Sequence, residues 1–296
     1  MTHSSGADAS DSEYTLTPKG EDLAGVITAL DEWSKRWELE VPTPAELTLG
    51  ENSDATVTPT RMRLCMLGSF ELSVGNRLVE GLSVGSQRLL VFLALHDRAV
   101  TRSAVAGTMW PEVSEARAGL SLRSALSRLD PATRDAIMIA SAGLALEGGV
   151  EVDLHDGQTL ARRLIAGQPE PDDLSLEVIG TLSQDLLPDW SDDWVVAEAE
   201  DWKQLRMNAL ECLARLLIDE NRLGEAASAA RAAIRVDPLR ESGYVALIKV
   251  HLAKGDQSEA LRVFDRYGEL LSAALGLEPT DHLRGLIASL RTSESR

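Results

Sequence analysis

Several side chains on one predicted helix could engage a nucleic acid. Residues 115–129 read EARAGLSLRSALSRL. Ala118, Leu122, Ala125, Leu126 and Leu129 recur at helical spacing and form one apolar stripe, wide enough to seat a helix on a core. Off that stripe lie Arg117, Ser121, Ser124 and Arg128, with Arg123 and Ser127 alongside. A guanidinium fork can bond two acceptors on the major-groove edge of guanine, and serine lets the helix backbone approach closely. The same residues would also make an ordinary solvated face. The position after a short helix and a tight proline turn favours the DNA-reading arrangement. Arg88 and Arg102, near the starts of the two preceding helices, are candidate phosphate contacts. Thr101 is placed to cap the second of these, where free backbone N–H groups also favour an anion. Capping alone is sufficient reason for a threonine there.

Other chemistry finds little support. The acidic run 189–201 (DWSDDWVVAEAED) lacks the spacing of a calcium loop, and its tryptophans, with Trp202, read as anchors for the helix that begins there. His3, His96, His155, His251 and His282 are scattered without a metal-type pair. There is no phosphate-binding glycine loop, nucleophile elbow or kinase signature. No enzyme activity, cofactor or metal is expected.

The elements that would carry these residues fall into three stretches. Residues 1–60 are expected to be an acidic, partly disordered extension with one amphipathic helix over 21–39, followed by a Pro/Thr-rich linker. From Arg63, short strands are interrupted by turns at Gly68–Ser69 and Gly75–Asn76, which predicts a small antiparallel sheet. Helices are then expected over Ser86–His96, Arg102–Trp110 and from a Ser114 cap to about Leu129, with Pro131 as a stop. Residues 136–152 alternate around Gly143 and Gly148–Gly149 and predict a hairpin and a short return strand. Beyond Val152 the pattern is helical. Glu225–Ala226 recurs as Glu259–Ala260, Leu213 as Leu247 and Ala230 as Phe264, each at the 34-residue period of tetratricopeptide helix pairs. Gly276 is expected to close the helix before it in a left-handed conformation, with Leu277 folding back.

The charge distribution narrows where a polyanion could bind. The chain of 296 residues carries a net charge of −18. Residues 1–60 hold 3 basic and 12 acidic side chains, residues 61–150 hold 10 basic (all Arg) and 8 acidic, and residues 151–296 hold 16 and 27. Only the middle stretch is not acidic, so any DNA contact belongs there, against the field of the rest. The polar, acidic start and the lack of a membrane-length apolar run predict neither secretion nor insertion. Cys65 and Cys212, far apart in the chain, fit a reducing cytoplasm rather than a disulfide framework.

Residues 61–152 resemble the winged-helix domain of OmpR-type regulators, through MLGSFELSVG at 66–75 and MWPEVSEARAGLSLRSALSRL at 109–129. Residues 153–290 resemble the bacterial transcriptional activator domain of SARP-type and AfsR-type regulators. The carriers are DDWVVAEAEDWKQLRMNALECLARLL at 192–217 and DPLRESGYVALIKVHLAKGDQSEALRVFDRYGELLSAALGLEP at 237–279. The resemblance implies a winged-helix DNA-binding domain at 61–152 and a tetratricopeptide-like domain at 153–296. It also implies dimers on promoter DNA, contact with RNA polymerase and a third helix in the major groove. Arg117, Ser121, Arg123, Ser124 and Arg128 match that helix's reading face. The chain departs from the family in ending this helix at Asp130–Pro131 and in a hairpin tip without Lys or Arg. Those departures keep open an alternative, a protein-interaction regulator whose winged helix binds DNA weakly or not at all.

Overall fold

A computed structural model describes residues 62–294, with side chains to residue 288. The extension and its expected helix over 21–39 lie outside the described residues. The architecture is mainly helical with two small sheets. No described helix is long and apolar enough to cross a membrane.

Strands β1 (Met62–Cys65), β2 (Glu71–Val74) and β3 (Arg77–Leu78) form an antiparallel meander. Alternation along β1 sends Met62 and Leu64 into the core. Helices α1 (Val84–Ala94), α2 (Arg102–Met109) and α3 (Glu115–Ser127) follow. Helix α1 begins two residues earlier than the sequence suggests, because Ser83 rather than a later residue caps it by accepting from the Ser86 N–H. Pro131 does not merely stop α3. It occupies the first turn of a short helix α4 (Pro131–Asp135), where its missing N–H costs nothing, and Asp130 caps that turn through Thr133. The Thr133 hydroxyl, donating to Asp130, is the main reason that carboxyl sits below its usual range.

Hairpin β4 (Ile137–Ala140) and β5 (Gly143–Leu146) forms the second sheet. Strand β6 (Val150–Val152) then returns beside β1, but in parallel, so the first sheet is mixed rather than antiparallel throughout. The parallel return is a product of the whole helical crossover between β1 and β6, which local pattern does not disclose.

Helix α5 (Asp153–Ala166) starts directly from β6. Its first residue, Asp153, accepts the Met66 and Leu67 backbone N–H groups at 2.8 and 3.1 Å and so holds the end of β1. Burial raises the pKa of this carboxyl in spite of those donors. After a 3-10 turn at Pro171–Leu174 and helix α6 (Leu176–Leu182), the long helix α7 (Asp193–Asp219) runs past α5. Gly157 permits the close crossing. A Cβ there would stand 3.0 Å from the Trp202 ring. Trp202 is fully buried and donates from Nε1 to the Gln184 carbonyl, while Trp190 stacks on Phe70 and Trp194 meets Phe92 edge-on. The tryptophans of the acidic run, with Trp202, therefore anchor α7, as expected from the sequence.

The helical repeat is carried by α7 with α8 (Leu223–Val236), and by α9 (Glu241–Ala253) with α10 (Gln257–Leu275). The residue pairs read at 34-residue spacing, Ala226 and Ala260, Leu213 and Leu247, Ala230 and Phe264, are all buried. The turns repeat as well. Asn221 and Gly255 both take positive φ, and the next residue in each case donates to the carbonyl six-residue-turn partner, Arg222 to Leu217 and Asp256 to His251. Gly276 closes α10 with a left-handed φ of 67°. Leu277 does not fold back; it is 56% exposed, and the buried Pro279 packs on Gly268 instead. The last helix, α11, spans Asp281–Glu294.

Candidate nucleic-acid interface

Helix α3 is seated by the stripe read from the sequence. Ala118, Leu122, Ala125 and Leu129 are buried and Leu126 is half-buried. The buried hydroxyl of Ser86 on α1 donates to the Ala125 carbonyl at 2.9 Å and fixes the two helices against each other. With that face committed to the core, Arg117 and Arg123 are exposed and Ser121 and Ser124 half-exposed on the other side. Arg123 Nε makes only a long bond, 3.3 Å, to the Gly119 carbonyl one turn back. Arg128 is the C-cap residue of α3 and is exposed.

Two basic residues missed in the sequence belong to this end of α3. Arg134 on α4 donates to the carbonyls of Ser127 and Leu129 at 3.0 and 3.1 Å, placing a cation where the helix dipole is negative. Arg77, in the short strand β3, lines a hollow of about 380 Å³ together with Arg128, Glu80 and Asp130. Neither could be found from spacing, because each reaches α3 from a separate element. Leu120 was also missed: it lies off the buried stripe and is 57% exposed between the arginines.

Thr101 caps α2 by accepting from the Ala104 N–H at 3.3 Å, and Arg102 beside it is exposed. Hairpin β4–β5 is pinned next to this cap. Val100 and Leu144 exchange both backbone hydrogen bonds at 2.8 Å. Gly143 makes this possible, since a Cβ there would lie 2.1 Å from the Val100 carbonyl oxygen. The hairpin tip, Ala140 to Ala142, is exposed and uncharged, and Met138 and Ile139 lead up to it exposed as well.

Arg88 stands apart from this set. Its Nη2 donates to the Met109 carbonyl at 2.7 Å and to Asp192 at 2.5 Å, and its guanidinium lies 6.0 Å from the centre of the Trp110 ring. A guanidinium so engaged would have to break these bonds to meet a phosphate. Among the described residues, no group of three His, Cys, Asp or Glu side chains could hold a metal ion.

Part of this chain is similar to known proteins. Residues 179–291 match the family model of the bacterial transcriptional activator domain, a span that runs from the end of α6 into α11. A solved structure of Mycobacterium tuberculosis EmbR, in complex with a low-affinity phosphopeptide, is similar in fold, with a TM-score of 0.56 over 78% of this chain. The two are 22% identical, and the match spans 65% of the EmbR chain. No curated protein sequence matches the chain. The resemblance to SARP-type transcriptional regulators read from the sequence is supported by the domain match, and the likeness to EmbR bears on the fold alone.

Proposed function

We propose that the chain is a sequence-specific, promoter-binding transcription regulator of the cytoplasm. In this reading residues 61–152 are a winged-helix DNA-binding domain and residues 153–296 the tetratricopeptide-like activator domain. The observation that carries it is the division of α3 into a buried apolar stripe and an outward face bearing Arg117, Arg123 and Arg128. That helix enters the major groove, where its arginines meet guanine and its serines allow close approach. Arg102 and the capped N-terminus of α2 hold a phosphate beside it. The uncharged hairpin adds little electrostatic grip, so affinity is modest and falls steeply with salt. The acidic helical part faces protein, binding a second copy of the chain and RNA polymerase rather than DNA.

Selection of bound duplexes from a fragmented genome at low salt tests this. Enrichment of one sequence motif is expected. Absence of any enriched motif, together with a stable protein partner in a pull-down, would favour the protein-interaction reading that the apolar hairpin and the acidic total motivate.

A further inference from the structure

Leu120 stands at the centre of the arginine-bearing face of α3 and is covered by nothing described. It is 57% exposed, whereas the other leucines of the helix, Leu122 and Leu126, are buried and half-buried. On a helix the nearest surface neighbours lie three and four residues away. For Leu120 these are Ala116 and Arg117 on one side and Arg123 and Ser124 on the other. Gly119 and Ser121 flank it in sequence. Its neighbours on the helix surface are therefore small side chains and two arginines. A lone exposed leucine on an arbitrary surface needs no explanation. This one sits where a duplex held by Arg117 and Arg123 would press against the helix.

The apolar group that a base pair offers in the major groove is the thymine C5-methyl, while cytosine presents an amino donor and purines present acceptors. A leucine can satisfy none of the polar groups, and closing the interface over one would leave it without water or partner. Resting on the DNA-binding reading above, we infer that Leu120 is a specificity-determining residue that packs on the methyl of a thymine lying between the bases approached by Arg117 and Arg123. It selects thymine both by covering the methyl and by leaving any polar edge there unsatisfied.

The test uses the full chain and a duplex enriched from a random library. Each thymine is replaced in turn by deoxyuridine, which removes the methyl alone. At one position wild-type binding is expected to weaken about fourfold, the worth of one buried methyl-sized group. Leu120→Ala should bind the two duplexes equally. Alanine is the best helix former and the site is on the surface, so an unchanged melting temperature is expected to accompany that loss. Wild-type binding indifferent to every deoxyuridine, or a deoxyuridine effect that persists in Leu120→Ala, would overturn the inference while leaving the DNA-binding reading intact. Failure of the wild type to enrich or bind any duplex would overturn both.

Discussion

Nη2 of Arg88 donates to Oδ1 of Asp192 at 2.5 Å and to the Met109 carbonyl at 2.7 Å, so one guanidinium joins α1, the end of α2 and the N-terminus of α7. Both side chains are about one-fifth exposed, and the charges are screened less than a surface pair would be. The bond links the arginine-bearing module to the activator-domain helices. Arg88→Ala and Asp192→Ala are each expected to lower unfolding free energy by about 1–2 kcal/mol, because the remaining partner keeps a half-buried charge. A double-mutant cycle by urea unfolding should return a coupling of roughly 1 kcal/mol. Strictly additive losses would mean that the pair contributes nothing as a pair.

Gly143 and Val100 set the position of the hairpin. The close approach of Gly143 to the Val100 carbonyl, at φ 143°, leaves no room for a side chain. Gly143→Ala is expected to cost about 3 kcal/mol, at the upper end of ordinary substitutions, because the backbone must move and the paired bonds to Leu144 break. Amide hydrogen exchange should show the Val100 and Leu144 N–H groups losing protection before the rest of the module. Unchanged protection at both would contradict the constraint.

Asp173 and Arg163 predict a pH dependence. The buried Asp173 carboxylate receives Arg163 Nε and Nη2 at 2.7 and 2.6 Å and the Glu170 N–H at 2.9 Å. The Arg163 bonds are the chief reason its pKa is lowered. A carboxyl with a lowered native pKa stabilises the fold fully above its unfolded value, about 3.9, and loses that contribution as pH falls through the native value. Asp173→Asn should therefore be less stable than wild type at pH 7, with the gap narrowing as the pH is taken below about 4. Thermal unfolding of both proteins across that window checks it. A gap that widened on acidification would reverse the assigned sign.

Much of this fold was legible because its signals are local. The Thr101 cap, the α3 stripe, the Gly276 terminus and the 34-residue recurrence each depend on residues within one or two turns, or on a repeat of such a unit. What escaped the sequence is what distant segments build together. The parallel pairing of β6 with β1 is closed by everything between them. Arg88 looks like a free phosphate contact in the sequence because its partner, Asp192, lies 104 residues away. Arg77 and Arg134 reach the end of α3 from a strand and from a short helix whose proline signals only a stop in the sequence. At Leu120 the spacing is present in the sequence, but an apolar side chain outside the stripe carries no charge signal.

The outward face of α3 is proposed to grip duplex DNA. A gel-shift titration of wild type against the paired substitution Arg117→Ala and Arg123→Ala, on a selected duplex at fixed low salt, tests it most directly. Both arginines are exposed, so melting should be unchanged. If each meets a base, a loss of about 1–3 kcal/mol per arginine in binding is expected. Equal affinity for wild type and variant on the same duplex would contradict it.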